Sequence, residues 1–396
     1  MENQELAQAP EKIWNRQFIL LFIANGLMYL GQWTVQTLVT NYAKTMGATS
    51  TILGIVASAF AVTAILFKII SGPALDQFRR KNILLAALCV VAVAYFGYSI
   101  SQNIPMLVLF RLLQGAGQAF TATCCLTLAA DALPVDKLGE GIGMFSLAQA
   151  ISQAVAPTLG LAIANYFGFH VTFAFACVMI LLSAAMVTQI PASGTLRQGK
   201  FKISLDSVVA KEALIPMFIL LLLASAFCLI NSFLVIYASD MGVSSIGGYF
   251  SVYALTLLIT RPMVGKLADR LSFVKVAVPA MLCFALSFWL ISISRNIFMF
   301  LAAAVISAFG YGACQPLVNS LCMKSVPPDR RGAASSTSYV GTDLGNLIGP
   351  TLAGVVISRC GYTLMWRVMT IQIFAAIGIT LLFRKKISAF ERCSKT

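Results

Sequence analysis

Residues 214–230 read LIPMFILLLLASAFCLI, a run without a single charged side chain. A strand of a membrane barrel would alternate residues that face lipid with residues that face the lumen, and this run does not alternate. A helix forms all of its backbone hydrogen bonds within itself, so it can cross the apolar core of a bilayer. The run therefore predicts a membrane-spanning helix.

Apolar windows of similar length recur along the whole chain. A bilayer core about 30 Å thick needs about 20 apolar residues for each helical crossing. The predicted spans cover residues 17–39, 51–73, 83–101, 104–130, 141–165, 171–190, 213–237, 246–267, 276–293, 296–322, 333–357 and 363–383. We therefore expect an all-α membrane protein with twelve transmembrane helices.

Composition and charge agree with this class. Hydrophobic residues make up 59% of the chain and charged residues 11%, whereas soluble proteins have about 25% charged residues. The net charge is +14, but the basic residues lie in short segments between apolar runs, so nucleic acid is not an expected partner. Of the 28 Lys and Arg residues, 21 fall on the side of the two termini. Because basic loops stay in the cytoplasm, we expect a multi-pass protein of the cell membrane with both termini cytoplasmic.

The second half of the chain repeats the first at an offset of 193 residues. The repeat superposes Gly54 on Gly247, Lys68 on Arg261, Gly72 on Gly265, Asp76 on Asp269, Pro134 on Pro327, Asp136 on Asp329, Gly139 on Gly332 and Pro157 on Pro350. It predicts two copies of one six-helix unit, residues 1–190 and 213–396, joined by a polar cytoplasmic linker at 191–212. Parallel repeats of this kind are typical of transporters that bind solute between the two halves.

Five short motifs lie at corresponding places in these spans. They read GPALDQFRRK (72–81), GKLADR (265–270), RLLQGAG (111–117), APTLG (156–160) and DLGNLIGPTLAG (343–354). With these motifs the chain resembles the major facilitator superfamily, and within it the drug and metabolite efflux branch of proton antiporters. Gln77, Arg79 and Ala156 depart from the family's patterns. The resemblance implies two pseudo-symmetric six-helix bundles, the MFS fold.

The resemblance also implies roles for the motif residues. The loop motifs would form a cytoplasmic gate from Gly72, Asp76, Arg79, Arg80, Lys81, Gly265, Asp269 and Arg270. A solvated loop charge is the alternative reading of the two aspartates. The antiporter motif and its counterpart would supply helix bends and close helix contacts at Pro157, Gly160, Gly345, Gly349, Pro350 and Gly354.

Asp343 and Arg111 are the candidates for proton coupling. Asp343 lies about ten residues, or about 15 Å, into the eleventh span, where a carboxylate must face a cavity, find a partner or take up a proton. It is either a proton carrier or a hydrogen-bonding residue between helices. Arg111, in the fourth span, cannot lose its charge and needs a partner. The resemblance implies a role for it in proton coupling, and a structural bond to a carbonyl or side chain is the alternative. Lys68 and Arg261 are expected to extend along the lipid to the headgroups.

Polar and aromatic side chains of the first, fourth, seventh and tenth spans are the candidates for the substrate cavity, because the resembled family lines its cavity from these spans. They are Asn25, Gln32, Trp33, Gln36, Gln118, Thr121, Asn231, Tyr311, Gln315 and Asn319. Polar side chains in a membrane can equally hold helices together. The scarcity of acids among these spans favours a neutral, zwitterionic or amphipathic solute over a purely cationic one.

These observations predict a transporter with no cofactor. The segment 194–200 has the spacing of a phosphate-binding loop, but Phe201 follows where a Ser or Thr is needed. The single His lacks neighbouring Cys, Asp or Glu, so no metal is expected, and no catalytic constellation indicates an enzyme. We expect a monomer in the lipid bilayer that exports a small organic solute in exchange for protons. An importer or facilitator of a small metabolite is the alternative, and a receptor that does not transport is a third reading.

Overall fold

The computed structural model describes residues 12–134, 137–191, 210–243, 246–326 and 331–393. Within these ranges the chain is almost entirely helical and contains no strand. The predicted linker at 191–212, with its loop-like segment 194–200, lies almost wholly outside the described residues.

Thirteen α-helices and a short 3-10 helix, Lys211–Ala213, account for most of the described chain. The first half contains α1 (Arg16–Thr45), α2 (Ser50–Gln77), α3 (Arg80–Ile100), α4 (Ile104–Asp131), α5 (Leu138–Phe167) and α6 (Phe169–Thr188). The second half contains α7 (Leu214–Asp240), α8 (Gly247–Arg270), α9 (Phe273–Ile293), α10 (Ile297–Lys324), α11 (Arg331–Val368), α12 (Thr370–Leu382) and a short terminal α13 (Arg384–Cys393). The predicted eleventh and twelfth spans meet within α11 at Gly361, whose φ of 76° suits a residue without a side chain.

The structure has the predicted fold class: twelve transmembrane helices in two pseudo-symmetric bundles of six. Nine stretches of the described chain are long and apolar enough to cross a membrane, and one of them, Ser336–Leu382, runs through both α11 and α12. Several helices extend beyond their apolar windows, since helix geometry continues into the polar ends. Helix α2, for example, ends at Gln77 and not at residue 73.

Local signals at the helix starts repeat with the two halves. The side chain of Asn103 accepts a hydrogen bond from the backbone N–H of Met106 at 2.9 Å and begins α4. Asn296, at the matching position of the second half, accepts one from Met299 at 3.0 Å and begins α10. An Asn in this position satisfies a backbone donor that has no partner within the helix.

The bundle has two membrane faces, the terminal face and the distal face. The terminal face holds the starts of α1 and α7 and the ends of α2 and α8, and the distal face holds the opposite ends of these helices. On the terminal face, α13 packs against the start of α9. Its Ile387 is fully buried, and the carboxylate of Glu391 accepts a 2.7 Å hydrogen bond from the backbone of Phe273.

The two halves meet closely toward the distal face. Ser58 of α2 bonds Thr351 of α11 at 3.0 Å, and Ser251 of α8 bonds Thr158 of α5 at 2.9 Å. Both residue pairs are related by the offset of 193, so the same contact occurs twice about the pseudo-symmetry axis. Thr40 also donates to the carbonyl of Ser232 across the halves at 2.6 Å. These contacts close the distal end of the space between the bundles.

Candidate functional site

A cavity of about 230 Å³ lies between the two halves. Helices α1, α2, α4 and α5 contribute its wall from the first half, and α7, α8, α10 and α11 contribute it from the second half. The halves are joined on the distal side of this cavity. The arrangement is a solute-sized space between the two bundles, with its distal side closed.

Most of the side chains predicted for the cavity lie in its wall. Those in the wall are Gln32, Trp33, Gln36, Gln118, Thr121, Asn231, Tyr311 and Gln315. Two others are not among the lining residues: Asn25, which is 3% exposed in α1, and Asn319 in α10. Both lie about one turn along their helices from the nearest lining residue, Tyr29 or Gln315, and closer to the terminal face.

Four helices that were not expected to line the cavity also do so. They contribute Phe60, Ala64 and Lys68 from α2, Gln149 and Gln153 from α5, Arg261 from α8, and Tyr339, Thr342, Asp343 and Asn346 from α11. Two signals in the sequence could have indicated them. Gln149 and Gln153 are one helical turn apart on α5, and Lys68 and Arg261 are charged residues at matching positions of the repeat.

Asp343 lies in the cavity wall and forms an ion pair with Lys68. It is 7% exposed and about 18 Å from the start of α11 at Arg331. The Lys68 Nζ donates to Asp343 Oδ2 and lies 4.9 Å from the ring centre of Tyr339. The pair joins α2 of the first half to α11 of the second, so a titratable group connects the two bundles at the cavity.

This position of Lys68 corrects the expectation that it reaches the headgroups. Because α2 continues to Gln77, Lys68 lies nine residues, or about 14 Å, from the end of its helix. A nearby carboxylate therefore offers a better partner than the membrane surface. Arg261 lies equally far from the end of α8 and also faces the cavity, so the same expectation is wrong for it.

Arg111 is buried behind the cavity wall and has no carboxylate partner among the residues that the structure describes. Its guanidinium donates to the carbonyls of Val56 at 3.0 Å and Ala57 at 2.6 Å. It also donates to Gln36 Oε1 at 3.3 Å, and Gln36 lines the cavity. The charge is fully buried and satisfied by neutral oxygens, so Arg111 fixes α4 against α2 and orients a cavity amide.

The gate motif is only partly described. Gly72, Gly265 and the side chains of Asp76, Asp269 and Arg270 lie outside what the structure describes. Arg79 is exposed between α2 and α3. Arg80 pairs with Asp131 at the end of α4 at 2.6 Å, and Lys81 donates to the carbonyls of Thr188 and Ile190 after α6. The described basic residues thus hold helix ends of the first half together at the terminal face.

The predicted bend and packing residues lie where helices approach closely. Pro157 and Pro350 are inside α5 and α11, and a Cβ added at Gly160 would lie 2.9 Å from Thr34 of α1. A Cβ at Gly345 or Gly349 would lie 2.5 Å or 2.4 Å from backbone oxygens of α7, within the second half. Gly354 instead faces Ser50 of α2, across the two halves.

The distal ion pair of Lys44 and Asp240 gives a first prediction. Its atoms lie 2.7 Å apart, but both side chains are more than a third exposed. Exposed pairs contribute about 0–1 kcal/mol. Asp240→Asn should therefore change the equilibrium constant between the closed and the open distal side by no more than about fivefold. The measurement is the rate of maleimide labelling at position 40 in purified Thr40→Cys protein, because Thr40 is buried between the halves. A much larger change would mean that this pair controls distal closure.

Comparisons with known proteins agree with this geometry. The sequence pattern of the Major Facilitator Superfamily matches residues 21–252 and 217–390. An uncharacterised MFS-type transporter of Methanocaldococcus jannaschii is 22% identical over 370 residues, which cover 89% of this chain and 94% of that protein. The quinolone resistance protein NorA of Staphylococcus aureus is 23% identical over 390 residues, which cover 93% and 94% of the two chains.

Solved structures share the fold at low sequence identity. A POT family transporter in complex with 5-aminolevulinic acid superposes with a TM-score of 0.80 at 14% identity and covers 94% of this chain and 96% of that one. The nucleoside transporter NupG superposes with a TM-score of 0.72 at 14% identity, over 96% and 99%. Together with the two bundles and the cavity between them, the family match shows that the chain belongs to the major facilitator superfamily and is a membrane transporter, not an enzyme.

Proposed function

We propose that this transporter exports a small organic solute in exchange for protons by alternating access. The observation that carries the proposal is the ion pair of Asp343 and Lys68 in the cavity wall. Protonation of Asp343 would remove the charge that Lys68 contacts and so weaken a bond between the two halves. A single titratable group could in this way link proton uptake to the relative movement of the bundles.

In the movement that we propose, the two halves of the chain move as separate bodies. Residues 1–190 and 213–396 would rock against each other about the cavity, and residues 191–212 would connect them. We place both termini in the cytoplasm and the protein in the cell membrane, because the basic residues concentrate on the terminal face. The closed distal side then corresponds to an inward-facing state. One chain carries both halves of the cavity, which favours a monomer.

Export is the favoured direction because NorA, a similar protein along almost its whole length, is named for quinolone resistance. Import or facilitated movement of a metabolite is the second candidate. It is supported by the fold shared with a nucleoside transporter and with a POT family transporter. The proton movement that accompanies transport distinguishes the two.

The test uses everted membrane vesicles that hold an acidic lumen, with a pH-sensitive dye. Norfloxacin and benzoate serve as a quinolone and a small organic acid, and vesicles without the protein are the control. If the protein exchanges solute for protons, addition of a transported probe should release protons from the lumen. Radiolabelled probe should accumulate in the same vesicles. Accumulation to equilibrium without proton release would identify a facilitator and contradict the proposal.

A further inference from the structure

The charges of the side chains in the cavity wall do not sum to zero. Among the lining residues the structure places two cations, Lys68 and Arg261, and one carboxylate, Asp343. Lys68 and Asp343 neutralise each other through their ion pair. One positive charge therefore remains in the cavity, and it belongs to Arg261.

Arg261 has no partner of its own within the described part of the chain. Its Nε is buried and finds no hydrogen-bond acceptor there, and no ion pair with a described carboxylate satisfies its guanidinium. An arginine keeps its charge in a protein, and the half-buried guanidinium of Arg261 is next to the cavity without a described carboxylate to neutralise it. The residue thus has unused capacity for an anion at the cavity.

A second unpartnered donor lies on the opposite half. The indole Nε1 of Trp33 is buried without an acceptor among the described residues, and Trp33 lines the same cavity. An indole nitrogen and a guanidinium can only donate hydrogen bonds. A ligand beside these residues therefore needs acceptor atoms, and next to the guanidinium of Arg261 these are best placed on an acidic group.

The remaining wall sets the size and shape of the ligand. The rings of Phe227 and Tyr311 stack with centroids 4.1 Å apart and planes at 7°, and both residues line the cavity. Flat aromatic surfaces favour stacking with a planar group. The volume of about 230 Å³ lies below the range of about 300–1,000 Å³ that is typical of pockets for drug-sized ligands.

We propose that the cavity binds a small planar organic anion, such as an aromatic carboxylate, whose acidic group pairs with Arg261. This inference rests on the proposed function, because it names the class of solute that the same cavity binds. The pair of Lys68 and Asp343 stays intact when the anion is bound and remains available for the proton. A cationic solute is disfavoured because it would have to compete with Lys68 for Asp343 next to a second cation.

Binding to purified full-length protein tests this inference without a proton gradient. Isothermal titration calorimetry compares the affinity for benzoate with that for two probes of nearly the same shape, neutral benzamide and cationic benzylammonium. Arg261→Gln removes the proposed partner, and Arg261→Lys keeps its charge. Arg359→Gln is the matched control, because Arg359 is exposed near the distal face and does not line the cavity. Thermal melting of each variant reports whether it folds.

The inference predicts that benzoate binds more tightly than benzamide or benzylammonium. A charged hydrogen bond of this kind gives at least about a tenfold rise of the Kd in Arg261→Gln, with a smaller rise in Arg261→Lys and none in Arg359→Gln. Lack of benzoate binding, preference for benzylammonium, or equal benzoate affinity in Arg261→Gln would overturn it. Proton exchange with norfloxacin alone would leave the proposed function standing, whereas benzoate binding without proton movement would contradict only that function.

Discussion

Asp343→Asn should abolish transport driven by a pH gradient while the protein still folds and enters the membrane. Asparagine keeps the shape of the side chain and can still accept a hydrogen bond from Lys68, but it cannot take up a proton. If Asp343 carries the coupling proton, the bond between α2 and α11 no longer depends on pH. Solute accumulation should then fall to the level of vesicles without the protein.

The measurement separates coupling from binding and folding. Accumulation under an imposed pH gradient is compared with solute exchange at equal pH, which should persist in the variant. Asp240→Asn provides the matched control, because it removes the same kind of carboxylate from the distal face, outside the cavity. Normal gradient-driven accumulation by Asp343→Asn would remove Asp343 from the mechanism.

Removal of Lys68, the partner of Asp343, should destabilise the protein. Lys68→Gln leaves Asp343 in the wall without its cation, whereas the double variant Lys68→Gln with Asp343→Asn leaves no charge of the pair behind. Breaking an ion pair by removing one partner is more costly than removing both. We therefore expect the double variant to melt at a higher temperature than Lys68→Gln. Equal melting temperatures would show that the pair contributes little to joining the halves.

Gly54→Ala should keep the distal side from closing. A Cβ at this position would lie 2.4 Å from the carbonyl oxygen and 3.2 Å from the carbonyl carbon of Pro350 in α11. Both atoms belong to the backbone of the other half, so no side-chain rotation can relieve the contact. The halves must separate at the distal face, which favours a state that is open there and slows the transport cycle.

The labelling of Thr40→Cys measures this effect. Overpacking of a tight contact costs about 1–3 kcal/mol, so the labelling rate at position 40 should rise about fivefold or more in the Gly54→Ala background. Gly378→Ala is the matched control, because a Cβ at Gly378 would meet no atom within 4 Å. An unchanged labelling rate together with normal transport would show that distal closure does not need this close approach.

The surroundings of Lys68 and Arg261 depend on helices of both halves. The repeat places them at matching positions, and their long side chains predict contact with the headgroups. In the structure Lys68 instead pairs with Asp343, a residue 275 positions away, and Arg261 faces the same cavity. The choice between lipid and partner depends on which helix lies beside α2, and a hydrophobic window contains no information about that neighbour.

Hydropathy, charge and repetition can be read from the sequence without knowing which helices are neighbours, and they determined the helical class, the twelve spans, the duplication and the depth of Asp343. The tertiary structure decided which helices surround the cavity, that Lys68 is the partner of Asp343, and that Arg111 is satisfied by neutral oxygens behind the wall. The physical reason is that a side chain buried in a membrane takes its partner from the adjacent helix. Helix adjacency arises from the packing of residues far apart in the chain.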